Sequence, residues 1–331
     1  MAAKRTIMVG TVGHGVMRSE DDGESWGGIP ITRGMHSDCI LRSMVPDPRR
    51  PEVVFAGTDL GLLRSEDGGA SWKLLVTALS GKVLWALAID PVDPNIMYAG
   101  TGTPSTPGIY RSTDSGKNWE QRPMEIAEEC PNVGIPRFTA IAVDPTDHRS
   151  IWAGIEVDGL RHSADGGDTW TEVSGALNNP DSHNVAVAAG SPSTVFSLGN
   201  DEIFTSTNNG TTWNPVGARE AFQWPQRVFP RGIAIKPGDP KVVYLGIGNG
   251  TPGNTGAVMR SKDAGKTWEN LPLPVEPNSF IYTVSIQPQD PSLVFAGSRY
   301  GYLYRSDDGG DSWSKMRREF GVISAIVWVP N

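Results

Sequence analysis

The chain has 331 residues, more than one ordinary domain but within reach of a single repeat fold. A net charge of −8 with no Lys/Arg run argues against a nucleic-acid partner, and two cysteines are too few for a disulfide framework or a C-x-x-C metal site. No apolar run approaches the ~18 residues of a membrane span, and "MAAKRTIMVGT" lacks the apolar stretch of a secretory leader, so a cytoplasmic protein with no membrane partner is expected.

The first predicted element is the strand "TIMVGT" at Thr6–Thr11, followed by the phrase "RSEDDGESW" at Arg18–Trp26. That phrase returns as "RSEDGGASW" at Arg64–Trp72, "RSTDSGKNW" at Arg111–Trp119 and "HSADGGDTW" at His162–Trp170. It returns again as "TSTNNGTTW" at Thr205–Trp213, "RSKDAGKTW" at Arg260–Trp268 and "RSDDGGDSW" at Arg305–Trp313. Successive tryptophans lie 46, 47, 51, 43, 55 and 45 residues apart, a period that signals an array of repeats.

The third unit shows the content of one repeat. "LWALAID" stops at the turn-former "DPVDP"; then come "IMYAGT", "GIYRS" and, beyond the phrase, "NWEQR". Four strands of about 4–6 residues per unit of about 45 fit a propeller blade. First strands recur as "CILRSMV", "LWALAID", "RFTAIAV", "NVAVAAG", "RGIAIK" and "YTVSIQ". The first phrase has none upstream, whereas "ISAIVWVPN" at the far end of the chain matches one. The predicted fold is therefore all-β: a single seven-bladed β-propeller spanning 1–331, with four antiparallel strands per blade. A C-terminal strand at about 322–329 is expected to complete the blade formed by about 6–30, removing open sheet edges.

The phrase S-x-D-x-G-x-x-W resembles the Asp-box, or bacterial neuraminidase repeat, of sialidases, xyloglucanase-type glycosidases, sortilin-like receptors and photosystem II assembly factors. The resemblance runs the whole chain and implies a turn between the third and fourth strands of each blade. Ser and Asp would bond turn amides there, Gly would permit the backbone, and Trp would pack between blades. Six such aspartates, with Asn208 at the same place in the fifth phrase, read as turn staples. Function is not implied, because these relatives do unrelated things.

Ligand sites of propellers are expected at the channel mouth, opposite the phrase-bearing turns. The loops joining second and third strands hold His14, Asp59, "GTPSTPG", Glu156–Asp158, Asn200–Asp201, "GNGTPGNTG" with Asn249, and Arg299–Tyr300. Loops entering the inner strands hold "MHSDC" with His36 and Asp38, "EECPNVGIPRF" with Arg137, "PDSHN" with His183, "FQWPQRVFPR" with Trp224, Arg227 and Arg231, and "NSFIY" with Tyr282. Counting back four residues from a shared proline gives an inner-strand row of Leu87, Ile141, Ala188, Ile233, Val284 and Ile326, into which blade two puts Arg42. Trp85, Arg231 and Tyr282 stand two positions above that row.

Three chemistries follow. Arg42, Arg137, Arg227, Arg231 and Arg299, with Trp85, Trp224 and Asn249, are the candidate binders of a small anionic molecule, since guanidinium groups pair bidentately with carboxylate or phosphate. Glu156, Asp59, Asp38 and His36 are the candidate acids and bases; the sialidase resemblance adds Tyr282 or Tyr300 as nucleophile, although the Arg-Ile-Pro motif is missing and sialidases have six blades. His14, His36 and His183 are the candidate ligands of a divalent metal ion, the one cofactor these residues suggest. Cys39 and Cys130 read as inert buried thiols. The expected function is a hydrolase or lyase, glycosidase-like in one form, acting on a sugar acid, lactone or glycoside at the mouth. The alternative is a non-catalytic scaffold that docks a protein partner.

Overall fold

The computed structural model describes residues 5–330 apart from 176, 178–179 and 223–226. Seven four-stranded antiparallel sheets stand around a central channel. The inner strands are Leu41–Pro46, Leu84–Ile89, Phe138–Val143, Asn184–Ala188, Phe229–Ile235, Ile281–Gln287 and, closing the ring, Val322–Pro330. This last strand pairs antiparallel with Arg5–Val12, so blade one is built from both ends of the described chain. The outer strands are shorter than predicted, two or three residues each, because the phrase-bearing turn takes up the chain beside them. Short outer edges suit a ring whose rim meets water.

There is no single core. Seven apolar clusters lie one to each junction between neighbouring blades, as where Met8 and Val327 of blade one meet Val54, Leu63 and Trp72 of blade two. Second strands read as unbroken buried runs such as "MYAGT" because both of their faces meet a neighbouring blade.

The repeated phrase works as a staple. In blade two Ser65 Oγ donates to Asp67 Oδ1 (2.9 Å) and accepts the buried Gly69 N–H (2.8 Å). Asp67 in turn accepts the Ser71 N–H (2.8 Å) and hydroxyl (2.6 Å). The fifth and sixth positions of all seven phrases sit at positive φ, among them Asp22, Ser115 and Ala264 at the fifth, with glycine always at the sixth. That glycine is demanded twice over: a Cβ on Gly69 (φ 79°) would stand 2.2 Å from the Met8 sulfur. In blade five Asn208 keeps the pattern by accepting the Thr212 N–H through Oδ1 and donating Nδ2–H to the Thr212 hydroxyl (2.8 Å).

The opening Arg of the phrase has a role its spacing did not reveal. It reaches the fifth residue of the next blade's turn: Arg18 Nε donates to Gly68 O (2.8 Å), Arg111 to Gly166 O (2.7 Å) and Arg260 to Gly309 O (2.7 Å). Arg305 of blade seven donates to Asp22 O of blade one at 3.0 Å, so the clasp also spans the closure.

Candidate functional site

The inner strands do not run straight. Each of six blades carries one unpaired residue near the start of its inner strand: Arg42, Trp85, Thr139, Arg231, Tyr282 and Ser324. Such bulges re-aim a side chain. In blade five the same level is held by His183, whose N–H donates to Leu198 O (2.7 Å) just ahead of the pair Asn184–Leu198. All seven residues line the channel, a space of about 650 Å³.

This register corrects two members of the inner-strand row. Pro48, following the buried Asp47, is the partner of Pro91 after Asp90, so blade two places Met44, not Arg42, beside Leu87. Arg42 belongs instead with Trp85, Arg231 and Tyr282. In blade five no proline follows the strand at that point, and Val185 replaces Ala188 in the row.

Four of the five candidate arginines converge at this level. Arg42 lies over one ring face system of Trp85 at 4.0 Å and Arg137 over the same indole at 4.5 Å. The indole N–H is tied to Thr103 O at 3.0 Å. Tyr282 receives Arg299 at 4.7 Å and Arg231 at 5.9 Å. Arg137 is neutralised by Glu156, with Nη2–Oε1 and Nε–Oε2 both at 2.6 Å. Arg42, Arg231 and Arg299 make no ion pair among the described residues, and Nε of both Arg42 and Arg231 is buried without a hydrogen-bond partner. Burial is the main force pulling the Arg42 and Arg231 pKa values down; neighbouring arginines add to it and Tyr282 opposes it.

Blade five adds a second polar group. Asp181 accepts the Val157 N–H (3.2 Å) and the Asn200 amide (2.6 Å), and its Oδ2 lies 3.3 Å from His183 Nε2. The His183 ring packs on Phe229 at 4.8 Å, and Nδ1 is buried with no partner. Burial lowers the His183 pKa, Asp181 pushing it back and Arg231 reinforcing the drop.

The other candidates are placed apart or already engaged. Arg227 pairs with Asp201 on the exposed surface, and Asn249 bonds Asn254 within its own loop. Trp224 lies outside the described residues. Asp59 accepts the Ile40 N–H (3.0 Å) and the Cys39 thiol (3.7 Å). Asp38, His36 and His14 are exposed on loops, and Tyr300 is 49 % exposed. The histidines do not form the expected metal set: among the described residues no group of three or more His, Cys, Asp or Glu converges as a metal would require. Cys39 is buried, and desolvation raises its thiol to about 12, as befits an inert group. The buried acid–base pairing that sequence reasoning missed is Asp181 with His183; the motif "DSH" held both, but their contact depends on the loop turning back on itself.

A family model for Sortilin-Vps10 (sortilin, neurotensin receptor 3) matches residues 201–325. The chain is 27 % identical to a xyloglucanase of Hypocrea jecorina over 88 % of its own length and 40 % of the relative's. It is 22 % identical to the photosystem II assembly lipoprotein Ycf48 of Synechococcus over 62 % of this chain and 68 % of that one. Among solved structures, a GH74 xyloglucanase from Xanthomonas campestris superposes with a TM-score of 0.65 at 22 % identity, covering 83 % of this chain and 45 % of the other. YCF48 bound to D1 peptide superposes with a TM-score of 0.55 at 18 % identity, covering 84 % and 81 %. The chain thus spans about 40 % of the xyloglucanase of Hypocrea jecorina. These likenesses agree with the seven-bladed propeller fold that the sequence predicts.

Proposed function

We propose that the channel mouth recognises the carboxylate of an acidic saccharide, held by Arg42, Arg231 and Arg299. The observation that carries this reading is three guanidinium groups that make no ion pair among the described residues, stacked on the rings of Trp85 and Tyr282. A half-buried guanidinium whose Nε is cut off from water, as in Arg42 and Arg231, is costly, and an entering carboxylate supplies acceptors in bidentate geometry. The saccharide half of the reading is supported by the similarity to xyloglucanases.

Hydrolysis of the bound glycoside is the second reading, favoured by the same similarity. It needs two carboxyl groups about 5–10 Å apart. Glu156 has both oxygens against Arg137, Asp59 is held by the Ile40 N–H and Asp38 stands on an exposed loop, so this reading rests on the similarity rather than on a carboxylate pair.

Calorimetric titration with galacturonate and its oligomers, against galactose and a neutral xyloglucan oligosaccharide, tests the proposal. Uronate binding that is weakened at least about tenfold in Arg231→Met supports it. Equal binding of neutral sugars, or capture only of inorganic phosphate or of a peptide's free carboxyl terminus, overturns the saccharide assignment. Release of reducing ends in the same mixtures decides between recognition and hydrolysis.

A further inference from the structure

The Asp181–His183 pair gives the mouth a second means of reading its ligand. An ionised carboxylate only accepts hydrogen bonds. Asp181 already accepts from Val157 N–H and the Asn200 amide, so its 3.3 Å contact with His183 Nε2 requires the proton on that nitrogen. The neutral ring then presents a lone pair at Nδ1, the nitrogen left buried and unpaired. The charged groups acting on the ring are Asp181 from its own segment, Glu156 from blade four and Arg231 from blade six. Asn184, the next residue, donates Nδ2–H to Arg231 O (2.9 Å), which fixes the two channel-lining segments against each other.

Resting on the anion-site reading above, we infer that His183, positioned by Asp181, accepts a hydrogen bond from a ligand hydroxyl neighbouring the carboxylate that Arg231 holds. The site would therefore select hydroxy acids, uronates included, over plain carboxylates. An unmet buried acceptor makes such a choice sharp, because a ligand lacking the hydroxyl strips water from Nδ1 without replacing it.

Lactate and propionate differ by that hydroxyl and serve as probes beside galacturonate. The expected result is a preference of the order of tenfold for lactate in the wild type. The preference should vanish in His183→Gln, whose side-chain amide reaches the Nε2 position beside Asp181 but leaves no acceptor where Nδ1 was. Nitrogen-15 spectra of the free protein should show the Nε2–H tautomer, shifted in Asp181→Asn, with the Nδ1 resonance moving as lactate saturates the site. A proton on Nδ1 in the free protein overturns the inference alone, as does an unchanged lactate-to-propionate ratio in His183→Gln. Should that variant fail to fold, the ratio in Asp181→Asn is decisive in its place: an unaltered preference there overturns the positioning role. Failure of both acids and galacturonate to bind the wild type overturns the anion-site reading, and this inference with it.

Discussion

Replacing Arg231 by Met should make the protein more stable while weakening its hold on the ligand. Met keeps much of the stem volume and deletes a guanidinium whose Nε finds no partner and whose surroundings disfavour its charge. An unmet buried donor costs about 1–3 kcal/mol, and the cation–π contacts given up, at 5.7 Å and 5.9 Å from the Phe229 and Tyr282 rings, return about 0.5–1 kcal/mol at such distances. The balance is a gain of about 0.5–2 kcal/mol. With an unfolding entropy of about 2.1 cal/mol/K per residue, this chain converts 1 kcal/mol into roughly 1.5 °C, so Tm should rise by about 1–3 °C. Loss of one charge-assisted carboxylate contact, about 1.5–3 kcal/mol, should weaken galacturonate binding by about 10–150-fold. Differential scanning calorimetry with and without galacturonate gives both quantities. At a hundredfold excess over the wild-type Kd the ligand adds about 2.7 kcal/mol to the wild type and about 0.3–1.4 kcal/mol to the variant, so galacturonate should raise the wild-type Tm by clearly more than the variant's. A variant that melts more than about 2 °C below the unliganded wild type would refute the reasoning, since Arg231 would then be a structural strut.

Blade five forecasts the tolerance of the other turns. Asp67→Asn should stay within about 0.5 kcal/mol of the wild type, because Asn208 shows the same contacts made with donor and acceptor exchanged. Asp67→Ala should lose about 1–2 kcal/mol, and Ser65→Ala, which orphans the buried Gly69 N–H, about 1–3 kcal/mol, read from urea midpoints. Acid should act in two stages. Burial lowers the His162 and His183 pKa values below their ordinary 6.5, so the unfolded chain binds protons first and stability falls as pH drops from about 6.5 through the folded values. The turn hydrogen bonds depress Asp21 and Asp308 to about 2, so a further loss sets in as pH falls from 3.8 towards 2. A urea-midpoint profile flat from pH 7 to 4 would contradict the first stage.

The blades were legible because each is written seven times: any one strand is ambiguous, but the spacing from box to box is not. The clasp made by Arg18, Arg111, Arg260 and Arg305 was hidden by that same repetition, since its partner lies in the next copy rather than its own. Arg42 was singled out for a sound reason, a cation on an apolar-looking strand, but set in the wrong row. A bulge adds a residue without a compositional mark, and Pro46 masked the equivalent Pro48. The convergence of Arg42, Arg231 and Arg299 was half visible: the loops could be ranked by blade, yet the ion pair that removes Arg137 from the set depends on a buried Glu156 from its own blade's next loop. Arg227 and Asn249 stand apart from the converging arginines, Arg227 paired with Asp201 of another loop and Asn249 with Asn254 of its own.

The strand that shuts the ring also sets a clock. Ser324 Oγ donates to Gly10 O across 314 residues of sequence, within the pairing of Val322–Pro330 with Arg5–Val12. At about 5–20 residues per second a ribosome leaves roughly 15–60 s between making those two strands. For that interval Arg5–Val12, whose middle six residues are buried in the finished molecule, has one side with no partner. The nascent chain must carry a sticky strand past six completed blades before its mate arrives. Emergence of Val322–Pro330, rather than the formation of any one blade, is therefore the moment at which Arg5–Val12 stops being an open edge for aggregation and chaperone capture.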